Sequence, residues 1–307
     1  MKYRVGLVME RSFLVLIFLG VIWGINFIFM KIAVQVVSPV QVAWLRAMFG
    51  AVPLVLMALA YRKLRVEHLK QWRHFFVMGF LSVVVPYLSL IKGTQLLQSG
   101  IAGAMSGTIS LVTTVFALLF LPEERLNPKK FLGLLLGFWG VALIANLQAV
   151  IGADPNSTLM EGAAYMLLAA LGYAAAAVYA KKHVMPLGVS ALALACYQTV
   201  CAAILLTVIV PFAGLGAILQ DTRVFLSVSL GLGLTGTGMA FVMYFYIIEK
   251  LGAVTASSVF YIPPLVALAV GVFVAGEQVQ AIQICGAALV LLGVWISKPP
   301  ARCRLKD

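Results

Sequence analysis

Charge is scarce in this chain: Asp, Glu, Lys and Arg make up 10% of its 307 residues, against about one quarter in a soluble domain. With 63% of the residues hydrophobic, the composition is that of an integral membrane protein. A bilayer core about 30 Å thick takes roughly 20 apolar residues per helix. Ten such spans can be laid along the chain, at 12–36, 39–61, 75–95, 99–121, 129–149, 159–181, 189–211, 224–249, 252–275 and 279–297. Little chain is left over, which excludes a soluble catalytic domain and places function among the helices.

Acidic residues and histidines are rarer still, and they fall in the wrong places for intramembrane chemistry. Asp154, Asp221 and Asp307 lie outside the spans, as do His68, His74 and His183, while Glu10, Glu123, Glu124, Glu161, Glu249 and Glu277 sit at span edges. An intramembrane aspartyl or metal hydrolase needs paired carboxylates or metal ligands within the membrane, so neither an enzyme nor a metal or other cofactor is expected. The absence of a Walker-type phosphate loop argues against an ATP-driven pump. A proton-coupled exporter of organic cations would hold a carboxylate at depth, so polyamines and quaternary amines are disfavoured as substrates. Cysteines are few: Cys196, Cys201 and Cys285 lie in spans and Cys303 in a basic tail, which implies no disulfide framework.

Cations are plentiful by comparison, and the net charge is +12. With ten spans both termini share a side, and 18 of the 22 Lys and Arg residues then fall on it. By the positive-inside rule that side is cytoplasmic, so the basic charge reports topology and not nucleic-acid binding. The N-terminal segment with Lys2, Arg4 and Arg11 leads into an apolar run longer than a signal-peptide core, read as a retained first span.

The chain also resembles itself. A shift of 153 residues lays "EERLNPKKFLGLLLGFWGVALI" from Glu124 on "EQVQAIQICGAALVLLGVWI" from Glu277, pairing Gly133 with Gly286 and Gly140 with Gly293. The same shift lays "SGIAGA" on "GAVTAS", and a shift of 150 lays Trp23 on Tyr173 and Lys31 on Lys181. Two halves are expected, 1–150 and 151–307. A repeat with an odd number of spans must have its second copy inverted in the membrane, the arrangement of secondary transporters with a site near the midplane.

"WGINFIFMK" with Arg46 in the first two spans, and in each half a small-residue helix ending in Glu before a glycine-bearing helix, are the features by which the chain resembles the EamA family of the drug/metabolite transporter superfamily. The likeness runs over essentially the whole chain and is strongest to bacterial exporters of aromatic and neutral amino acids of the YddG type. It implies an all-α carrier of ten transmembrane helices, built as two inverted five-helix repeats around a central cavity, in a bacterial inner membrane. Two departures stand out: the first repeat reads "PEER" where the second reads "AGEQ", and it has Ser110 where the second has Pro263.

The buried polar residues point the same way. Ionisable groups inside a membrane usually face a bundle interior or water, and Lys31, Arg46 and Lys92 gather toward the external half with no acid at that depth. This suggests a positive outward vestibule able to hold a carboxylate. Two plainer readings stay open: Lys31 and Lys92 can snorkel, and Arg46 can bond the freed carbonyls of a broken helix. Breaks are expected at Pro86, at "GLTGTG" (233–238) and at Pro263 and Pro264. At similar depth lie Trp23, Asn26, Tyr87, Ser110, Thr114, Tyr173, Gln198, Thr235, Thr237 and Tyr244, a plausible cavity lining. Small residues at Gly20 and Gly24, Gly103 and Gly107, and Gly133 and Gly137 fit close helix crossings.

The expected function is export of small carboxylate-bearing metabolites, aromatic or neutral amino acids first, by alternating access, with one chain sufficient as a monomer. A carrier of lipophilic drug-like solutes is the runner-up; a non-transporting receptor or scaffold is disfavoured by the short loops.

Overall fold

The computed structural model describes residues 2–97, 99–123, 127–144, 157–275 and 281–297, and among these there is helix and no strand. Eight helical stretches are long and apolar enough to cross a membrane: Arg11–Ala33, Pro39–Ala60, Val66–Leu96, Ile101–Phe120, Thr158–Leu187, Ala191–Ile209, Thr222–Leu251 and Ala253–Val270. Two shorter apolar helices, Phe131–Ile144 and Ile284–Gly293, stand where the fifth and tenth spans are expected. The remainders of those two expected spans, at 145–149 and 279–280, lie outside the described residues. So do the boundary at 150/151, Glu124, Glu277, Asp154 and the tail containing Lys298, Arg302, Cys303, Arg304, Lys306 and Asp307.

The first half contains α1 (Lys2–Ala33), α2 (Pro39–Ala60), α3 (Trp72–Gly79), α4 (Val85–Leu96), α5 (Ser99–Met105), α6 (Thr108–Phe120) and α7 (Pro128–Ile144). The second contains α8 (Thr158–Tyr179), α9 (Ala191–Ile209), α10 (Thr222–Leu226), α11 (Ala240–Leu251), α12 (Ala253–Ser257), α13 (Ile262–Ala275) and α14 (Ala281–Ser297). Several starts are set by side-chain caps: Ser38, Ser157, Ser190 and Asp221 each accept from an amide of the following first turn, satisfying donors that the helix itself leaves free.

Four of the long apolar stretches change pitch, one of them through the π-helical Ala180–Val184 that follows α8; the other three do so for a local reason. Phe80–Val84 is π-helical between α3 and α4. Pro86 has no amide to give Ser82, so the helix widens there and Val85 N–H reaches back to Phe80 O. Ser227–Met239 is π-helical between α10 and α11, in the stretch "SVSLGLGLTGTGM", where glycines lower the cost of an irregular backbone. Between α12 and α13 the segment Ser258–Tyr261 tightens to a 3-10 turn, and Pro263 and Pro264 then occupy the first turn of α13, where a missing amide costs nothing. A further break, not expected from the sequence, separates α5 from α6 at Ser106–Gly107.

The helices approach closely where side chains are absent. A methyl group built on Gly20 would meet Ile262 at 2.5 Å, and one on Gly24 would meet Val266 at 2.5 Å, so α1 lies directly against α13. On Gly140 it would meet the Gly286 carbonyl oxygen at 2.5 Å, and on Gly293 the Gly133 carbonyl oxygen at 2.6 Å. The backbones of α7 and α14 are therefore in contact, the packing that small residues permit in lipid. α1 also packs on α11 and the 227–239 segment, α8 on α4 and α6, α2 on α9 and the 227–239 segment, and α9 on α3 and the 80–84 segment.

Candidate functional site

The centre of the bundle is organised by Arg46, which is 2% exposed. Its Nε donates to Thr237 Oγ1 at 3.1 Å and its Nη2 to the Gly236 carbonyl at 3.2 Å. In the amide orientation that satisfies both of its ends, Asn26 accepts from the same Nη2 at 3.2 Å and donates to the Ile22 carbonyl at 3.2 Å. The guanidinium carbon stands 3.9 Å from the centroid of the Tyr87 ring, a cation–π contact strengthened by exclusion of water. Among the described residues no carboxylate pairs with it; the ion pair found there is Lys250–Glu249.

The π-helical segment makes this arrangement possible. In an α-helix Ala240 N–H would bond Gly236 O; here it bonds Thr235 O and Thr237 O instead. The Gly236 carbonyl accepts from Arg46 and, at 3.2 Å, from Trp23 Nε1. Thr237 donates its hydroxyl hydrogen to Leu232 O at 2.9 Å, so Tyr87 is the donor in the 2.7 Å contact between Tyr87 and Thr237.

Arg46 has five N–H donors. The Nε hydrogen and the two on Nη2 have oxygen acceptors, whereas Nη1 meets Met30 Sδ at 3.9 Å, and a thioether is a weak acceptor. Met30 and Arg46 both line a central cavity with about 20 Å³ open to the centre of a water-sized molecule. That is room for about one water. A larger solute enters this space only if the helices part. Of the residues expected at the site, the cavity brings together Trp23, Asn26, Arg46, Tyr173 and Pro263. To these it adds Phe27, Met30, Leu90, Ser106, Ile109 and Phe260, which the sequence did not single out. Phe260 stacks on Trp23, with centroids 4.9 Å apart and planes at 15°, and Tyr173 lies 5.4 Å from Phe260 and 6.2 Å from Trp23. A clue to Phe260 was its position three residues before the Pro263–Pro264 break; Ser106 had only a neighbouring glycine.

The other expected residues stand elsewhere. Tyr87 and Thr237 lie behind Arg46 and hold it. Tyr244 packs on Trp23 at 5.3 Å, and its buried hydroxyl has no hydrogen-bond partner. Gln198 accepts from Ser82 Oγ at 2.8 Å, away from the cavity lining, with its Nε2 unpaired. Ser110 and Thr114 line a second cavity with Leu134, Val254, Thr255, Ser258 and Tyr261. Lys31 neither lines the central cavity nor snorkels. Its Nζ donates to the carbonyls of Thr94, Gln95 and Leu97 at 3.1, 3.4 and 2.8 Å, closing the C-terminal end of α4 where a cation complements the helix dipole. Lys92 donates to Gln95 Oε1 at 3.2 Å. Of the three cations assigned to a vestibule, Arg46 alone faces the cavity.

The sequence model described as the EamA-like transporter family matches the chain twice, over residues 11–146 and 160–297. The Bacillus subtilis (strain 168) protein named uncharacterized transporter YoaV is 27% identical over 302 residues, covering 94% of this chain and 97% of its own. The uncharacterized inner membrane transporter YedA of Escherichia coli (strain K12) is 26% identical, covering 90% of this chain and 87% of its own. A solved crystal structure at 19% identity has the same fold, with a TM-score of 0.69 over 94% of this chain and 97% of the other. The chain belongs to the EamA-like transporter family.

Proposed function

We propose that this protein exports small carboxylate-bearing metabolites, aromatic or neutral amino acids first, through a bacterial inner membrane by alternating access. The observation that carries the substrate class is the half-satisfied guanidinium of Arg46. A buried arginine without a counter-ion is costly, and its Nη1 corner, facing the cavity with only a sulfur beside it, is repaid by a carboxylate. The aromatic walls formed by Trp23, Tyr173 and Phe260 suit a large apolar side chain. They suit a lipophilic drug equally, but a drug without an anionic group leaves Nη1 unmet.

In this reading the ten helices form two inverted repeats of five, and both termini face the cytoplasm, as the bias of 18 of 22 cations to one side favours. The family match in two copies supports the duplication. So does the packing: exchanging the halves turns the α1–α13 contact into α8–α6, α1–α11 into α8–α4, and the α2 contact with 227–239 into that of α9 with 80–84. The α7–α14 contact exchanges into itself, because Gly140 meets Gly286 and Gly133 meets Gly293. That self-complementary pattern is the one a two-fold axis generates. Rocking of one repeat against the other would open the cavity to alternate sides.

The test is efflux from proteoliposomes preloaded with labelled neutral, aromatic, basic and acidic amino acids and a lipophilic cation, with and without a pH gradient. Saturable efflux of aromatic or neutral amino acids is expected. Efflux of the cation alone, or of none of them, contradicts the proposal.

A further inference from the structure

Arg46 has a counterpart in the other half of the chain. It is the eighth residue of α2, counted from Pro39, and Gln198 is the eighth of α9, counted from Ala191. A shift of 152 residues lays one helix on the other and carries Ser38 onto Ser190. Both serines cap their helix by accepting from the amide three residues on, that of Gln41 and that of Ala193. The partners correspond as well. Arg46 reaches across to the hydroxyl of Thr237 in the π-helical segment of the second half. Gln198 meets the hydroxyl of Ser82, at 2.8 Å, in the π-helical segment of the first. Each hydroxyl also bonds a carbonyl of its own helix, Leu232 O for Thr237 and Met78 O for Ser82.

The two residues differ in what they face. Arg46 lines the central cavity. Gln198 is fully buried outside the lining, and its Nε2 has no hydrogen-bond partner. An unmet buried donor destabilises a fold and calls for an explanation. Trp23 and Tyr173, which a shift of 150 lays on each other, both stand on the cavity wall already. When the halves trade conformations, as rocking of inverted repeats requires, these aromatic walls remain and the polar group facing them changes from the Arg46 guanidinium to the Gln198 amide. We propose, resting on the carrier reading above, that Gln198 is a second solute-binding residue of the transport path, donating from Nε2 to the solute's carboxylate in the exchanged arrangement.

The two sites are unequal. A guanidinium holds a carboxylate by charge-assisted bonds about twice as strong as those of a neutral amide. A carboxylate solute therefore favours the arrangement with Arg46 at the cavity and draws the protein toward it. In that arrangement Gln198 is sealed, so filling the first site closes the second.

The experiment follows the access of water to position 198. Gln198→Cys is placed in the full-length protein with Cys196, Cys201, Cys285 and Cys303 replaced by alanine, and the protein is reconstituted in proteoliposomes. A charged methanethiosulfonate, present on both sides, reaches a buried thiol only when that position opens to water. Ala202→Cys is the control: Ala202 is equally buried, and the shift of 152 pairs it with Gly50, which lies against Thr237 and not on the cavity. Gln198→Cys is expected to be modified and Ala202→Cys not, and phenylalanine is expected to slow the modification where phenylalaninamide does not. No modification of Gln198→Cys, or equal modification of the two, overturns the proposal whatever solute is carried. Modification that phenylalanine leaves unslowed, when the unmodified protein exports phenylalanine, overturns the binding role. Absence of phenylalanine efflux from the unmodified protein counts instead against the substrate reading, and modification without solute still decides whether Gln198 reaches water. Gln198→Met, close in size and without a donor, gives a second measurement that needs no cysteine. The KM for phenylalanine is expected to rise roughly two- to tenfold, the worth of a neutral hydrogen bond, from one face of oriented membrane vesicles and to stay unchanged from the other. An equal change from both faces, which a merely structural role would give, or a change from neither, overturns the proposal.

Discussion

Trp23 and Arg46, on different helices, donate to one carbonyl oxygen, that of Gly236, each at 3.2 Å. That oxygen lies in the π-helical 227–239 segment, where Ala240 N–H bonds its two neighbours, Thr235 O and Thr237 O, in its place. An irregular helix thus fixes both the aromatic wall and the buried charge of the cavity.

Gly236 is the position where this knot is most easily untied. A methyl group on its Cα would lie 2.5 Å from Asn26 Nδ2 and 2.6 Å from Oδ1, and overpacking a tight interior costs about 1–3 kcal/mol. Gly236→Ala is expected to displace Asn26 from Arg46, lowering the unfolding midpoint and weakening substrate binding together. Thermal unfolding and a binding titration on the same sample check it.

Lys31 should behave differently, since it serves α4 and not the cavity. Lys31→Met removes three bonds from a charged group to the carbonyls of Thr94, Gln95 and Leu97. The expected destabilisation is on the order of 1–3 kcal/mol, with substrate affinity unchanged. Lys31→Arg is expected to restore much of the stability. A loss of affinity at unchanged stability would return Lys31 to the pathway.

How far the sequence discloses this arrangement depends on which physical signal each residue leaves. Apolar runs set the spans, since lipid permits little else, and the expected breaks at Pro86, 233–238 and Pro263 are present because a missing amide or side chain acts locally. The break at Ser106–Gly107 left no such mark. Its neighbours Ser106 and Thr108 donate to the carbonyls of Gly103 and Met105 at 2.6 and 2.7 Å, and common hydroxyls give little warning of such back-bonding. Arg46 stands out as a charge in an apolar run. That Lys31, a charge of the same kind, faces the end of α4 and not the cavity depends on the rotation and tilt of α1, which α13 sets through Gly20 and Gly24. Depth alone likewise could not separate Gln198, bonded to Ser82, from Tyr173, which faces the cavity.

The α7–α14 contact offers a test of helix packing remote from the cavity. A methyl group on Gly286 would sit 2.7 Å from the Gly140 carbonyl oxygen and 3.0 Å from Leu143 Cβ and Ile144 Cγ1, so the nearest obstacle to Gly286→Val is backbone. Close-packed small residues hold helices together in lipid. The variant is expected to lower the unfolding midpoint markedly, whereas Leu291→Val, on an exposed face of α14, is expected to leave it unchanged. Thermal aggregation of the two in the same detergent decides it.

The central claim is that Nη1 of Arg46 receives a carboxylate. The most direct measurement is competition against efflux of labelled phenylalanine in proteoliposomes by unlabelled phenylalanine and by phenylalaninamide, which keeps the ring and the amine and lacks the carboxylate. Phenylalanine is expected to compete at least about tenfold better, since a charge-assisted hydrogen bond to a buried group is worth about 1.5–3 kcal/mol. Equal competition by the amide would contradict the assignment of Arg46.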